Sequence, residues 1–139
     1  MTVEAYLNFN GNCREAVEFY SEVFGTEKPR FMQFGDMPGD GRFPMDDSVK
    51  SLIMHAEISV MGSRIMFSDV SPGMSFTIGN NISLIVNSSD EKGLRAIFDQ
   101  LKQGGEIKME LQETFWSKCY GFAVDKFGIG WQLSLDRDS

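Results

Sequence analysis

His55 is the single histidine of the chain, and it stands two residues from Glu57 in the segment 52–60, LIMHAEISV. In an extended segment, residues two apart share a face. A carboxylate beside an imidazole orients the ring, which suits a general base or an anchor for an anionic ligand. The same pair also suits a plainer role: a histidine that lines a cleft or an interface with a structural hydrogen bond. With one histidine, no two-histidine metal site can form within one chain, and no Ser-His-Asp or Cys-His arrangement is legible. Cys13 and Cys119 are not at metal-ligand spacing. Cys13 opens a helical segment, where the dipole favours a thiolate, and packing against a sheet is the competing reading.

Segment 52–60 must be a strand to place this pair. Its alternation predicts Met54, Ala56, Ile58 and Val60 on one face and His55, Glu57 and Ser59 on the other. Gly62-Ser63 predicts a two-residue hairpin turn, pairing 60 with 65, 59 with 66 and 57 with 68. Met66 and Ser68 then join the polar side, Ile65 and Phe67 lie on the apolar side, and Arg64 is expected to be solvated. Segment 3–9, VEAYLNF, reads as a strand with Leu7 and Phe9 inward and Tyr6 and Asn8 on the opposite face. Asn12 with Glu15 has the spacing of a capping box. The helix it opens runs to Phe24, with a stripe of Ala16, Phe19, Tyr20, Val23 and Phe24, and Gly25 supplies a left-handed cap. Segment 28–36 predicts another strand. Residues 36–48, with four acids, two Gly and two Pro, predict a long loop.

The order then repeats. Residues 71–80, SPGMSFTIGN, read as a linker. Residues 81–86 predict a strand with Ile82, Leu84 and Val86 inward, and Ser88 with Glu91 predicts a second capping box. The helix over about 90–103 carries Leu94, Ile97, Phe98 and Leu101 and stops at Gly104-Gly105. Strands are expected near 106–112, 118–124 and 129–135, the last two joined by a turn at 125–128. The chain is thus expected to be one domain over 1–139 of two halves, about 1–70 and 81–139, each strand, helix, then three strands. The repeat is one of architecture, with almost no identity between the halves.

A length of 139 residues suits one domain. The net charge of −7 repels phosphate backbones and anionic lipid, which disfavours nucleic acid and membrane partners. No apolar run approaches the roughly 20 residues of a membrane span. Two thiols and an N-terminal Met1-Thr2-Val3-Glu4 without a signal pattern make the cytoplasm the expected location.

Several motifs in order along the chain carry a family resemblance. They are Tyr6 to Cys13 with Glu15-Ala16 and Phe19-Tyr20; Phe34 to Pro38; His55-Ala56 with Gly62 and Ile65 to Asp69; and Gln112 to Trp116 with Tyr120-Gly121, Asp125 to Ile129 and Trp131. Together they resemble the PhnB-like branch of the glyoxalase/bleomycin-resistance/dioxygenase (vicinal oxygen chelate) superfamily. The resemblance implies an α+β fold: two βαβββ modules forming a curved mixed sheet around a cleft, helices outside. It also implies a homodimer. Metal-dependent members carry four ligands, two from each half, and these positions fall on Glu4, Met66, Asn81 and Gln132; counting back from Phe19-Tyr20 without a gap gives Ala5 for the first, and Glu4 is preferred because it keeps Leu7 and Phe9 packed on the helix. Met is a soft ligand and the two amides are weak donors, a poor set for a divalent ion.

The expectation is therefore a metal-independent protein without a cofactor that binds a small molecule. His55 and Glu57 are its catalytic candidates. Tyr6, Asn8, Ser59, Ser68, Asn81, Trp116 and Gln132 are its ligand-binding candidates. Trp116 and Phe115, in a short polar loop, either roof the cleft or pack. The alternative is a metal-dependent or His-based isomerase, lyase or dioxygenase. A third reading, an interaction protein using the acidic 36–48 loop, fits less well with polar residues alternating into a concave face. Relatives also carry a demethylubiquinone methyltransferase label, whereas no Gly-rich nucleotide loop follows a strand in this chain.

Overall fold

A computed structural model of the chain describes residues 1–36 and 46–136 and divides it into two units, Met1–Thr77 and Ile78–Ser139. Each unit is a mixed four-stranded sheet with a helix against one face, the α+β, two-module architecture the sequence predicts. The first holds β1 (Ala5–Phe9), α1 (Cys13–Phe24), β2 (Arg30–Gln33), α2 (Asp47–Lys50), β3 (Ile53–Val60) and β4 (Ser63–Asp69). Its strand order is β1-β4-β3-β2, with β1 parallel to β4 and the other pairs antiparallel. The second holds β5 (Ser83–Ser88), α3 (Glu91–Leu101), β6 (Glu106–Gln112), β7 (Tyr120–Val124) and β8 (Gly130–Leu135). Its order, β5-β8-β7-β6, has the same parallel and antiparallel pairings. Among the described residues no helix is long and apolar enough to cross a membrane.

In the first unit α1 buries Cys13, Ala16, Val17, Tyr20 and Val23. These recur at three- and four-residue steps and make one stripe against the sheet. The stripe is rotated from the expected one: Phe19 and Phe24 are only half-buried, while Cys13 and Val17 are buried. Tyr20 stacks on Phe67 of β4 at 5.9 Å between ring centroids. Gly25 ends the helix in the left-handed conformation, at φ 62°, and Thr26 N–H returns to Ser21 O.

The expected Asn12 capping box does not form, for Asn12 makes no side-chain cap bond. Asp69, buried at the end of β4, takes its place. Its Oδ1 accepts from Gly11 N–H at 2.8 Å and Cys13 N–H at 3.0 Å, and its Oδ2 from Ile53 N–H at 2.9 Å. A full negative charge at the helix N-terminus is favoured there over a neutral amide.

The β3–β4 hairpin corrects the predicted register. The turn is Met61-Gly62, and 60 pairs with 63, 59 with 64 and 57 with 66. Both turn residues have positive φ, 52° and 87°, as a type I′ turn requires. The shift is two residues, so every side chain keeps its expected face; a one-residue slip would have exchanged the faces. A second correction lies at the start of β3. Met32 pairs with His55 but Gln33 pairs with Ile53, an irregularity that skips Met54. The alternation changes phase there, so Ile53 is buried and Met54 is only half-buried.

Two predicted segments are shorter than expected. The strand at 28–36 stops at Gln33, because the Asp36 carboxylate accepts from Gln33 N–H at 2.8 Å and turns 34–36 into a 3₁₀ helix. The long loop ends early, because Asp46 caps α2 by accepting from Val49 N–H. Residues 37–45 of the acidic loop lie outside the described residues.

In the second unit β5 begins at Ser83, two residues later than predicted, so Asn81 and Ile82 precede it and are exposed. Asp90 caps α3 by accepting from Gly93 N–H at 3.0 Å, where Ser88 was expected. Ser88 Oγ instead accepts from Asp90 N–H. The helix buries Leu94, Phe98 and Leu101, and the facing strands bury Val86, Ala123, Trp131 and Leu133. Asp125 closes the β7–β8 hairpin. Its Oδ1 accepts from the N–H groups of Phe127 and Ile129, and its Oδ2 from Trp131 Nε1–H at 2.9 Å.

Candidate functional site

Alternation in the first sheet sends one set of side chains toward α1 and the other to the opposite face. The register brings Tyr6 beside Met66, and Met66 beside Glu57. It also sets Ser59 beside Arg64, Asn8 beside Ser68 and Met32 beside His55. Tyr6, Asn8, His55, Glu57, Ser59 and Ser68, all predicted from sequence, therefore share one face.

Their contacts form a row. The Tyr6 hydroxyl lies 3.3 Å from His55 Nδ1, and His55 Nε2 lies 3.4 Å from Glu57 Oε2. Both are long hydrogen bonds, and together they suit the Nε2–H tautomer: Tyr6 O–H donates to Nδ1 and Nε2–H donates to Glu57. Glu57 is also 3.7 Å from Arg64 Nη1. Arg64 Nε donates to Glu4 Oε2 at 2.8 Å, and Nη2 donates to the same oxygen. Arg64 is half exposed, as expected of a solvated side chain, but it is paired with two carboxylates. The hydrogen bond to Glu4, then the charges of Glu4 and Glu57, hold its guanidinium pKa above the ordinary value. Ser68 Oγ donates to Asn8 Oδ1 at 3.4 Å. The His55 and Glu57 side chains are 35% and 48% exposed, open enough for a ligand to reach.

In the second unit a different row forms. The Tyr120 hydroxyl donates to Gln132 Oε1, and Gln132 Nε2 donates to Ser83 Oγ at 2.8 Å. Burial raises the Tyr120 pKa, so the phenol stays a donor. Trp116 packs edge-on against Tyr120 at 5.2 Å and against Phe115 at 4.7 Å. The loop that holds it is pinned by buried Ser117, whose Oγ sits against the backbone of Cys119 and Leu135.

The positions that the resemblance assigns to metal ligands can now be read from register. In the first unit Met66 pairs with Tyr6, and Glu4 lies two residues before Tyr6. In the second, Gln132 pairs with Ile85, and the residue two before it is Ser83, inside β5. Asn81 lies outside the strand, so register gives its place to Ser83. The donors are then, in the first unit, a carboxylate already held by Arg64 and a thioether, and in the second a hydroxyl and an amide bonded to each other. Neither pair suits a hard divalent ion. Among the described residues no three His, Cys, Asp or Glu side chains cluster as metal ligands.

Sequence reasoning missed Asp69, Ser83, Ser117, Tyr120 and the pairing of Arg64. Asp69 left a signal, an acid at the end of the apolar run 65–67. Tyr120 stood only within the motif Tyr120-Gly121, and Ser83 left no signal, since its importance depends on a partner strand.

Comparison with known proteins places these features. The family model described as 3-demethylubiquinone-9 3-methyltransferase matches residues 2–134. Protein YjdN of Escherichia coli K12 is 31% identical over 141 residues, covering 97% of this chain and 95% of that protein. Among solved structures, protein PA1353 from Pseudomonas aeruginosa is 32% identical with a TM-score of 0.86, covering 99% of each chain. The PhnB protein from Bacillus cereus is 28% identical with a TM-score of 0.71, covering 98% of this chain and all of that one. A glyoxylase/bleomycin resistance protein/dioxygenase domain from Frankia sp. EAN1pec shares the fold, with a TM-score of 0.66 at 15% identity over 99% of this chain and 98% of that one.

Proposed function

Because the chain belongs to the family described as 3-demethylubiquinone-9 3-methyltransferase, the PhnB-like branch of the glyoxalase/bleomycin-resistance superfamily, we propose that it binds a small polar molecule without a divalent metal. The observation that carries this reading is the row Tyr6–His55–Glu57–Arg64–Glu4 on one sheet face. It presents a hydroxyl, an imidazole, two carboxylates and a guanidinium side by side, a surface suited to a ligand with several polar groups. Asn8, Ser59 and Ser68 extend it with hydrogen-bonding groups. Within the second unit, Gln132, Trp116 and exposed Asn81 are proposed as ligand contacts of their own. The homodimer is also part of the proposal, and sedimentation should give the mass of two chains.

The methyl transfer in the family's description draws no support from the strand-to-helix turns. At the first, Asp69 already holds the Gly11 and Cys13 N–H groups, and at the second Asp90 caps the helix. A nucleoside cofactor approaching either backbone turn would have to displace a carboxylate.

Elemental analysis of protein purified without chelator tests the metal part. The expected result is no stoichiometric divalent metal; one whose removal abolishes activity or ligand binding would sink the proposal.

One observation favours a second reading, an enzyme with a metal-free base. His55 is bonded on both sides, so a proton reaching the half-exposed Tyr6 oxygen has a path to Nδ1, with Glu57 balancing the imidazolium. His55→Ala should then abolish turnover; unchanged ligand binding and unchanged turnover would remove this reading.

A further inference from the structure

The second unit contains a cavity of about 620 Å³, inside the range of roughly 300–1,000 Å³ typical of small-molecule sites. Phe122 and Val124 of β7 and the bare backbone of Gly130 form its floor, on the sheet face opposite α3, and Ile78 and Ile82 form a wall. Gly130 leaves the floor without a side chain at its position, where a Cβ would sit in ordinary contact with Phe122 Cζ, and a Cβ on Gly128, at φ 90°, would lie 2.9 Å from Ile78 Cγ2. Ile82 leaves 78% of its surface exposed at the rim, unusual for a side chain of that size with no apolar cover.

Two opposite charges stand at the same rim. Lys108 Nζ lies 3.1 Å from Glu106 Oε1, with the two side chains 49% and 67% exposed. An exposed pair of this kind is held weakly, so a ligand can open it if it brings both charges of its own. A lone anion would meet Glu106 and a chain of net charge −7, and a lone cation would meet Lys108. A zwitterion satisfies both without changing the net charge of the rim.

The geometry points to a second binding site for a small zwitterion with an apolar, ring-sized body, an aromatic amino acid in chemical class. The ring lies on Phe122 and Val124, the carboxylate meets Lys108 and the ammonium meets Glu106. This goes beyond the proposed function: that reading is carried by the row in the first unit, and its second-unit contacts, Asn81, Trp116 and Gln132, do not line this cavity, so either can fail alone.

Amide NMR titration with three probes tests it: L-phenylalanine, 3-phenylpropionate and phenethylamine. The expected result is saturable shifts at Phe122, Val124, Gly128 and Gly130 with L-phenylalanine, and binding about fivefold weaker or more for the two singly charged probes. Lys108→Glu should weaken L-phenylalanine by a similar factor, and the double variant Glu106→Lys, Lys108→Glu should restore it. Ile82→Ser, at an exposed position that leaves the fold alone, should weaken all three probes. Absence of shifts at the four residues, equal affinity for the three probes, or indifference to Lys108→Glu would each overturn the assignment.

Discussion

In the first unit the sheet face opposite the helix carries Glu4, His55, Glu57 and Arg64; in the second the corresponding face carries Ser83, Tyr120, Phe122 and Gln132. Strand order and pairing sense are the same, and the positions match by register, Met66 with Tyr6 in one and Gln132 with Ile85 in the other. What differs is charge. The first face carries an ionic row, while the second carries a neutral hydrogen-bonded row flanked by aromatic rings, with the ion pair Lys108–Glu106 set apart at the rim of the cavity. The βαβββ backbone therefore sets where side chains point and leaves their chemistry free. The two units also differ in how far a buried aspartate reaches. Asp69 ties together the β1–α1 turn and the start of β3, while Asp125 closes a single hairpin.

That contrast is exposed most strongly by removing the aspartates. Asp69→Ala leaves the N–H groups of Cys13 and Ile53 without their acceptor inside the core, and should cost about 3 kcal/mol in urea unfolding. Asp125→Ala disrupts local bonds in one turn and the Trp131 indole, and should cost less, about 2 kcal/mol. Equal losses, or a larger loss for Asp125, would break the distinction between long-range and local closure.

The two buried thiols sharpen the comparison through pH. Burial, then the nearby Asp69 charge, pushes Cys13 up from 9.0 to about 12, and burial also raises Cys119. A raised folded-state pKa means the stabilisation is complete below pH 9.0 and is lost as pH rises from there toward 12. Cys13→Ala should therefore flatten the fall of the thermal midpoint above pH 9. At pH 8 a thiol reagent should label neither cysteine until the protein is unfolded, and rapid labelling of native Cys13 would contradict its burial.

A smaller effect is expected at the hairpin turns. Met61 holds φ 52° in the first turn, while the second places Gly128 at φ 90°. Met61→Gly should stabilise by about 0.5 kcal/mol, the relief of left-handed backbone strain less the added freedom of the unfolded chain. Gly128→Ala should destabilise by about 1 kcal/mol, since it adds both strain and a Cβ close to Ile78. A loss of stability in Met61→Gly, or a gain in Gly128→Ala, would overturn the reading of the turns.

Much of the first face was legible because period-two alternation is local. His55, Glu57, Ser59, Tyr6 and Asn8 are on one side because their neighbours Ala56, Ile58, Leu7 and Phe9 are apolar. The hairpin register was missed by two residues, yet the face survived because two is the period of the strand. Helix caps were less legible. Asn12 and Ser88 had the right type and spacing, but Asp69 and Asp90 took the roles, one from a distant strand and the other from the next residues. Ser83 could not be preferred over Asn81 without knowing where β5 begins.

The sequence by itself determined the two-module order, the stripes that bury Tyr20 and Phe98, the left-handed cap at Gly25 and the polar face around His55, since each follows from residue type and local period. Only the tertiary structure decided which partners those residues meet: Arg64 with Glu4, Asp69 with Cys13 and Ile53, Gln132 with Tyr120 and Ser83. Those contacts join residues 12 to 60 positions apart. Their geometry is set by strand pairing and register, which a local pattern constrains only to within the two-residue period that leaves every face unchanged.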